Sequence, residues 1–175
     1  MVLIAEEVVE EWLNQQRFFT IRGVKLGVKE MDILAIREGE DGIERHHYEV
    51  HASINPVSYV STVPKTIQRA EGRASNSAKK RTAEELKRGV KEWIQKKFKD
   101  PKKVELRQQL SAGEWRYHFV LHKVRHQDEL AIFEESEVKI LYLREILVDL
   151  KAGGDFTASG KDLIDLMLMD RLSTP

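Results

Sequence analysis

Cysteine is absent from the 175-residue chain. That excludes disulfides, thiolate metal sites and cysteine nucleophiles, and it suits a reducing compartment. No apolar run approaches the roughly 18 residues that a membrane-spanning helix requires. The N-terminus lacks the basic stretch, apolar core and small-residue cleavage site of a secretory signal. The expectation is a cytoplasmic protein with no membrane partner. Net charge is also missing: 29 Lys and Arg balance 29 Asp and Glu, so bulk charge announces no nucleic-acid partner. Nor is there a GxxxxGK[ST] phosphate loop, a GxGxxG fingerprint, a GxSxG elbow or an HExxH pair, which disfavours nucleotide hydrolysis, dinucleotide redox and serine-hydrolase chemistry.

The chain does have the length and the 41% hydrophobic content of one globular domain, spanning 1–175, with a core of its own. Its charge is unevenly distributed. Residues 65–107 hold 15 Lys or Arg against 6 Asp or Glu, a focused basic field in a neutral protein.

Periodicity places the elements. Residues 4–16 read as an amphipathic helix, with Val8, Val9, Trp12 and Leu13 on one stripe and Glu6, Glu7, Glu10 and Glu11 on the solvated side. Residues 17–22 are a strand, and Gly23 and Gly27 flank a turn. Residues 31–36 are a strand buried on both faces. GEDG at 39–42 is a hairpin turn with its tip at Asp41-Gly42, and the return strand covers about 43–52. Its odd positions, Arg45, His47, Glu49 and His51, share one polar face that points to solvent or into a site.

The segment 53–81 has weak periodicity, with a short strand at 58–63 and a surface loop at 74–81. Thr82 and Glu85 form a capping box opening a helix of about 82–98, whose stripe is Leu86, Val90, Trp93, Ile94 and Phe98; Pro101 follows its stop. Residues 115–124 alternate as a strand, 130–133 read as another, and 138–150 read as a helix or as a strand running into one. A last helix is capped by Ser159. The whole is an α/β domain: a central mixed sheet flanked by helices.

Residues 27–53 carry the chemistry. Glu30 and Asp32 open one strand, and Glu49 and His51 close the next. Carboxylates at the ends of buried strands have a desolvation cost unless something pairs with them, and a hard divalent cation is the usual partner. Glu30, Asp32 and Glu49, with Glu6 as a fourth, are the candidate ligands for Mg²⁺ or Mn²⁺. The competing reading leaves Glu30 and Asp32 at a strand edge and Glu49 solvated.

The order of these residues, a helix glutamate, then G-x-x-E-x-D-I-L-A-I, a turn, and hydrophobic-E-V-H-A-S, resembles the PD-(D/E)xK nuclease superfamily. It is similar above all to Holliday-junction resolvases and the YraN-like proteins. The resemblance covers residues 5–53. It implies a restriction-endonuclease-like fold and a metal-dependent endonuclease hydrolysing DNA phosphodiester bonds. Glu30, Asp32, Glu49 and His51 would be catalytic, and Asp32, Glu49, Glu30 and Glu6 would hold the metal. It also implies a homodimer, because junction-cleaving relatives are commonly dimers. One departure stands out. His51 occupies the place of the motif's lysine, which in the family orients the attacking water and offsets phosphate charge. Lys25, Lys29 and Lys65 are candidate replacements, and loss of the lysine is also how a nuclease fold becomes an inactive DNA-binding or interaction domain.

A DNA partner also fits the basic segment. Lys79, Lys80, Arg81, Lys87, Arg88 and Lys91, continuing through Lys96, Lys97, Lys99, Lys102 and Lys103, are candidate phosphate contacts. His118, His122 and His126 recur every fourth residue. On a strand His118 and His122 lie about 13 Å apart, too far to share one zinc ion.

Overall fold

The computed structural model describes residues 2–53 and 56–153. Its centre is a five-stranded mixed sheet in the order β1-β2-β3-β4-β5. Strands β1 (Phe19–Leu26), β2 (Lys29–Gly39) and β3 (Gly42–His51) form an antiparallel meander. β4 (Arg116–Leu121) runs parallel to β3, and β5 (Val138–Tyr142) parallel to β4. Parallel neighbours need crossover connections, and the helices supply them. Between β3 and β4 lie α2 (Lys65–Glu71), α3 (Ala83–Lys97) and α4 (Pro101–Leu110); between β4 and β5 lies α5 (Asp128–Glu134). α1 (Val2–Gln15) opens the chain and α6 (Leu143–Gly153) follows β5.

Alternation along the strands builds two cores. Val8, Val9 and Leu13 of α1 and Ile146 and Leu150 of α6 bury against Ile33, Tyr48, Val50 and Val120. Val90, Ile94 and Phe98 pack with Phe119, Leu121, Phe133 and Val138 on the other side of the sheet. Adjacent β4 residues thus feed opposite layers, as the side-chain period of two requires. The chain is α/β, with a mixed sheet between helices, as the periodicity implied.

Several elements differ from their sequence reading. β1 continues through Gly23 (φ +65°) to Leu26, and the turn is at Gly27. The hairpin pairs Gly39 with Gly42, so its tip is Glu40-Asp41. Residues 130–133 are helical: Leu130 and Phe133, three apart, are buried, and Asp128 and Glu129 suit the first turn. Residues 138–150 divide into β5 and α6. The last helix proposed, after Ser159, lies outside the described residues.

The segment at 58–63 is not a strand. Its backbone is held by one buried carboxylate: Glu129 accepts from Val60 N–H (2.7 Å), Ser61 N–H (2.8 Å) and the Ser61 hydroxyl. Glu129→Ala strands both amides and is expected to cost about 2–3 kcal/mol. Urea denaturation measures the loss, and amide exchange should accelerate at residues 57–63.

Helix α4 left no apolar signature because its buried face is cationic. Asp100 caps it, accepting from Lys102 N–H at 3.1 Å, and Pro101 starts it. Its two buried residues are Lys103 and Arg107. These sit one turn apart, so both project to the same side.

Candidate functional site

The β2–β3 ladder runs from Gly39↔Gly42 to Ile33↔Tyr48. Beyond that point β2 goes on pairing with β1 and β3 with β4. The ladder is continued by a side chain: Asp32 Oδ2 accepts from Val50 N–H at 2.8 Å. Asp32 and Glu49 therefore stand where two strands stop pairing, at the C-terminal end of the parallel β3–β4 pair. Ends of this kind are where open α/β sheets place their sites.

Glu49 is 1% exposed, which overturns the solvated reading. It accepts from His47 Nε2 at 3.1 Å, Lys103 Nζ at 3.1 Å and Lys97 Nζ at 2.5 Å. α4 arranges this. Lys103 bridges Glu49 to the Lys97 carbonyl (3.0 Å). Arg107 bridges His47 Nδ1 (2.9 Å) to the Phe98 carbonyl (2.7 Å). Two cations one turn apart thus tie two alternate residues of β3 to the last carbonyls of α3. Cations suit a helix C-terminus, and this clamp sets Lys97 over the sheet. A further tie joins the same corner, since Lys29 pairs with Asp100 at the start of α4.

The charges act on one another. Burial alone would raise the Glu49 carboxyl, but the His47 N–H and the Lys97 and Lys103 charges hold it at about 2. Burial, then the Glu49 charge, push Asp32 up to about 7, against the pull of Lys97 and the Val50 amide. Glu6 is raised by burial, then by the charge of Glu30. For Lys97, burial is outweighed by Glu49 and Asp32, and its pKa rises. For Lys103 burial wins and its pKa falls. His51 is lowered by burial and by the Lys97 charge, which favours its neutral form, and its buried Nε2 has no hydrogen-bond partner among the described residues.

The four acids singled out in the sequence therefore fall in one electrostatic neighbourhood. Glu6 is buried on α1, not on its solvated side, and Glu30 is exposed at the start of β2. The cations that touch Glu49 are neither His51 nor Lys25, Lys29 or Lys65. They are Lys103 and Lys97, and of the two Lys97 left a signal in the sequence. Its signal was its position: seven residues after Val90, Lys97 continues the apolar stripe of α3, where a lysine is out of place. Arg107 gave no such signal, whereas His47 shares the odd face of β3 with Glu49 and lies 3.1 Å from it.

Two of the basic residues assigned to phosphate are corrected. Lys103 is 2% exposed and committed to Glu49. Arg81 is buried, donating to the Ser61 carbonyl at 3.0 Å and lying 4.0 Å over the Tyr59 ring. Lys79, Lys80, Lys87, Arg88 and Lys91 are exposed; Arg88 donates to the Thr66 hydroxyl at 2.9 Å. The histidines gather differently from their spacing: His118 bonds His46 at 2.8 Å and stacks on Tyr48.

Asp32 and Glu49 are the two carboxylates that could supply oxygen ligands to a divalent cation. Asp32 Oδ2 accepts from Val50 N–H, and Glu49 accepts from His47 and Lys103 on Oε1 and from Lys97 on Oε2. Among the described residues no group of three or more His, Asp or Glu could hold a metal. Two carboxylates plus water and substrate phosphate are a usual set for magnesium.

No family model matches the chain, and no curated protein does. Among solved structures it is similar to the crystal structure of a protein of unknown function, AF1548, at 14% identity and a TM-score of 0.44, over 85% of this chain and 67% of that one.

Proposed function

We propose that the protein is a metal-dependent endonuclease hydrolysing DNA phosphodiester bonds. The observation that carries this reading is Lys97, whose ammonium reaches Glu49 from α3 beside Asp32. Lys97 supports an acid–acid–lysine reading in which the cation comes from another element. Mg²⁺ or Mn²⁺ would be held by Asp32 and Glu49, and would supply a water of lowered pKa and offset phosphate charge. Glu30 and Glu6 add negative potential that favours the cation. Lys97 donates to the attacking water or to a phosphate oxygen. The neutral His51 offers a ring nitrogen for the same water. A cytoplasmic homodimer goes with this reading.

Labelled linear, nicked and branched DNA, incubated with the pure protein with and without Mg²⁺ or Mn²⁺, tests it. Cleavage that needs metal and disappears in Asp32→Ala supports the enzyme.

A second reading, an inactive nuclease-fold domain that binds DNA or a protein, draws on the same cluster. Lys97 and Lys103 already neutralise Glu49, and an ion cluster closed in this way holds together without metal. Binding without cleavage would favour it. In either case the exposed cations carry the affinity. Lys87→Ala with Lys91→Ala is expected to reduce the slope of log K against log salt by about 2, near 0.9 per phosphate contact. Fluorescence anisotropy across a salt series reads this slope.

A further inference from the structure

Tyr59 is an aromatic residue without a core. Its neighbours Val57 and Val60 pack against the second core, while Tyr59 belongs to none of the apolar clusters among the described residues. Polar groups hold it instead. Its hydroxyl accepts from the Arg81 backbone N–H at 3.2 Å. The Arg81 guanidinium lies 4.0 Å from the centre of its ring, and the His126 ring stacks on it at 4.4 Å and 13°. Two groups this close to one ring centre cannot share a face, so Arg81, Tyr59 and His126 form a stack of three layers.

The stack is built on fixed parts. Segment 57–61 is held by the Val57–Val124 bridge, by Arg125 N–H on the Val57 carbonyl (2.9 Å), by His126 N–H on the Ser58 carbonyl (3.3 Å) and by Glu129. Arg81 Nη1 donates to the Ser61 carbonyl at 3.0 Å and to the Ser61 hydroxyl at 3.2 Å. The stack also stands at the sheet edge that carries the acids. His122 N–H donates to the His51 carbonyl at 3.2 Å, where β3 ends. From His122 to His126 the chain spans at most about 14 Å. Lys79, Lys80 and Arg125, close in sequence to members of the stack, are exposed.

Tyr59 is covered on both faces, and Arg81 is 5% exposed. The layer left for a further ring is the outer face of His126, which is half-buried and carries no second ring among the described residues. Every nucleobase has a π-face, and cations beside an aromatic stack are how proteins hold an unpaired strand. A base inside a duplex has both faces stacked already and must be extruded before it can meet a side chain in this way. Resting on the DNA reading above, we propose that the protein binds single-stranded DNA through a base stacked on the outer face of His126. Tyr59 and Arg81 are the positioning residues that hold the imidazole. Lys79, Lys80 and Arg125 meet the phosphates of the same strand.

The test is fluorescence anisotropy of the full chain with a labelled oligothymidylate and with a duplex of the same length, in EDTA so that no strand is cut. His126→Ala is expected to weaken single-strand binding about tenfold, within the range of one stacked base, and to leave duplex binding unchanged. His126→Trp should restore the single-strand affinity. Stacking releases no counterions, so the tenfold ratio should hold from low to high salt. A histidine that merely held the fold together would lower both affinities alike. Equal losses on the two DNAs, no loss in His126→Ala, no recovery in a folded His126→Trp, or a ratio that shrinks with salt overturn the proposal. So does a wild-type chain that binds no single strand. The comparison of the two DNAs in His126→Ala decides even where His126→Trp does not fold. Metal-dependent cleavage alongside any of the overturning results leaves the nuclease reading standing. Single-strand binding that behaves as expected, with no cleavage in Mg²⁺ or Mn²⁺, sinks that reading and leaves this one in place.

Discussion

Asp32→Asn should produce a protein that is more stable than the wild type at pH 8 and inactive. In the folded chain, burial and the Glu49 charge raise Asp32 from 3.8 to about 7. An acid whose folded pKa lies above its unfolded one binds its proton more tightly when folded. Its stabilising contribution is present below pH 4 and is lost as pH rises from about 4 to 7. At ~1.4 kcal/mol per pH unit, the cost of ionised Asp32 above pH 7 is at most about 4 kcal/mol. Asparagine removes the charge, and its amide oxygen still accepts from Val50 N–H. A gain of about 2–4 kcal/mol at pH 8, vanishing near pH 4, is the expected result. Urea denaturation of both proteins across pH reads it directly. Glu49 does not confuse the comparison. Its pKa is lowered from 4.5 to about 2, so its stabilisation is lost only as pH falls through that lower window. In the same variant, metal-dependent cleavage should fall by at least about 10³. A position that costs stability while sustaining activity is the expected mark of a functional site. Equal stability of the two proteins at pH 8 would mean that Asp32 is a solvated cap for Val50 and no more.

How legible was this site? Asp32 and Glu49 were visible because a charged residue at the end of an apolar strand breaks its pattern, and two such breaks on successive strands suggest convergence. The mixed sheet followed from the same alternation. What gave no signal was the cationic half. Pattern reading finds buried faces by their apolar residues, and the buried face of α4 is Lys103 and Arg107. They looked like more of the basic surface because the residue type alone does not say that a carboxylate and a histidine await them across the sheet. Arg81 was misread for the same reason: its partners, Ser61 and Tyr59, are brought in by a segment anchored on Glu129. Lys97 was the exception, readable in principle as a lysine inside a hydrophobic stripe. Residues 130–133 show the other limit, since four apolar residues in a row fit a strand or a helix turn equally well and only the packing of Leu130 and Phe133 decides.

The three charges that meet at Glu49 should separate cleanly into stability and function. Glu49→Gln leaves Lys103, 2% exposed, without the carboxylate it touches. Breaking a buried pair from one side costs about 3–5 kcal/mol. Lys103→Met removes the other partner, and Glu49 keeps Lys97 and the His47 N–H, so the loss should be smaller. The double variant should regain part of the deficit, giving a coupling of about 2 kcal/mol or more in a double-mutant cycle measured by urea denaturation. Lys97 behaves differently. Its side chain is 33% exposed, so solvent screens the pair and Lys97→Met should cost less than about 1 kcal/mol. Cleavage should nevertheless fall at least about a hundredfold, because the partly exposed ammonium at the site is lost. Lys97→Arg should restore part of the rate by restoring the charge, whereas restoring charge at position 51 with His51→Lys in the Lys97→Met background tests whether the motif's original place can still serve. Lys97 and Lys103 touch the same carboxylate. A fixed lysine that orients Glu49 and a partly exposed lysine free to meet a phosphate are different chemical parts, and unequal responses to the same substitution are the measurable consequence. Equal losses of stability and activity at 97 and 103 would mean that both lysines only neutralise Glu49, as the inactive-domain reading requires.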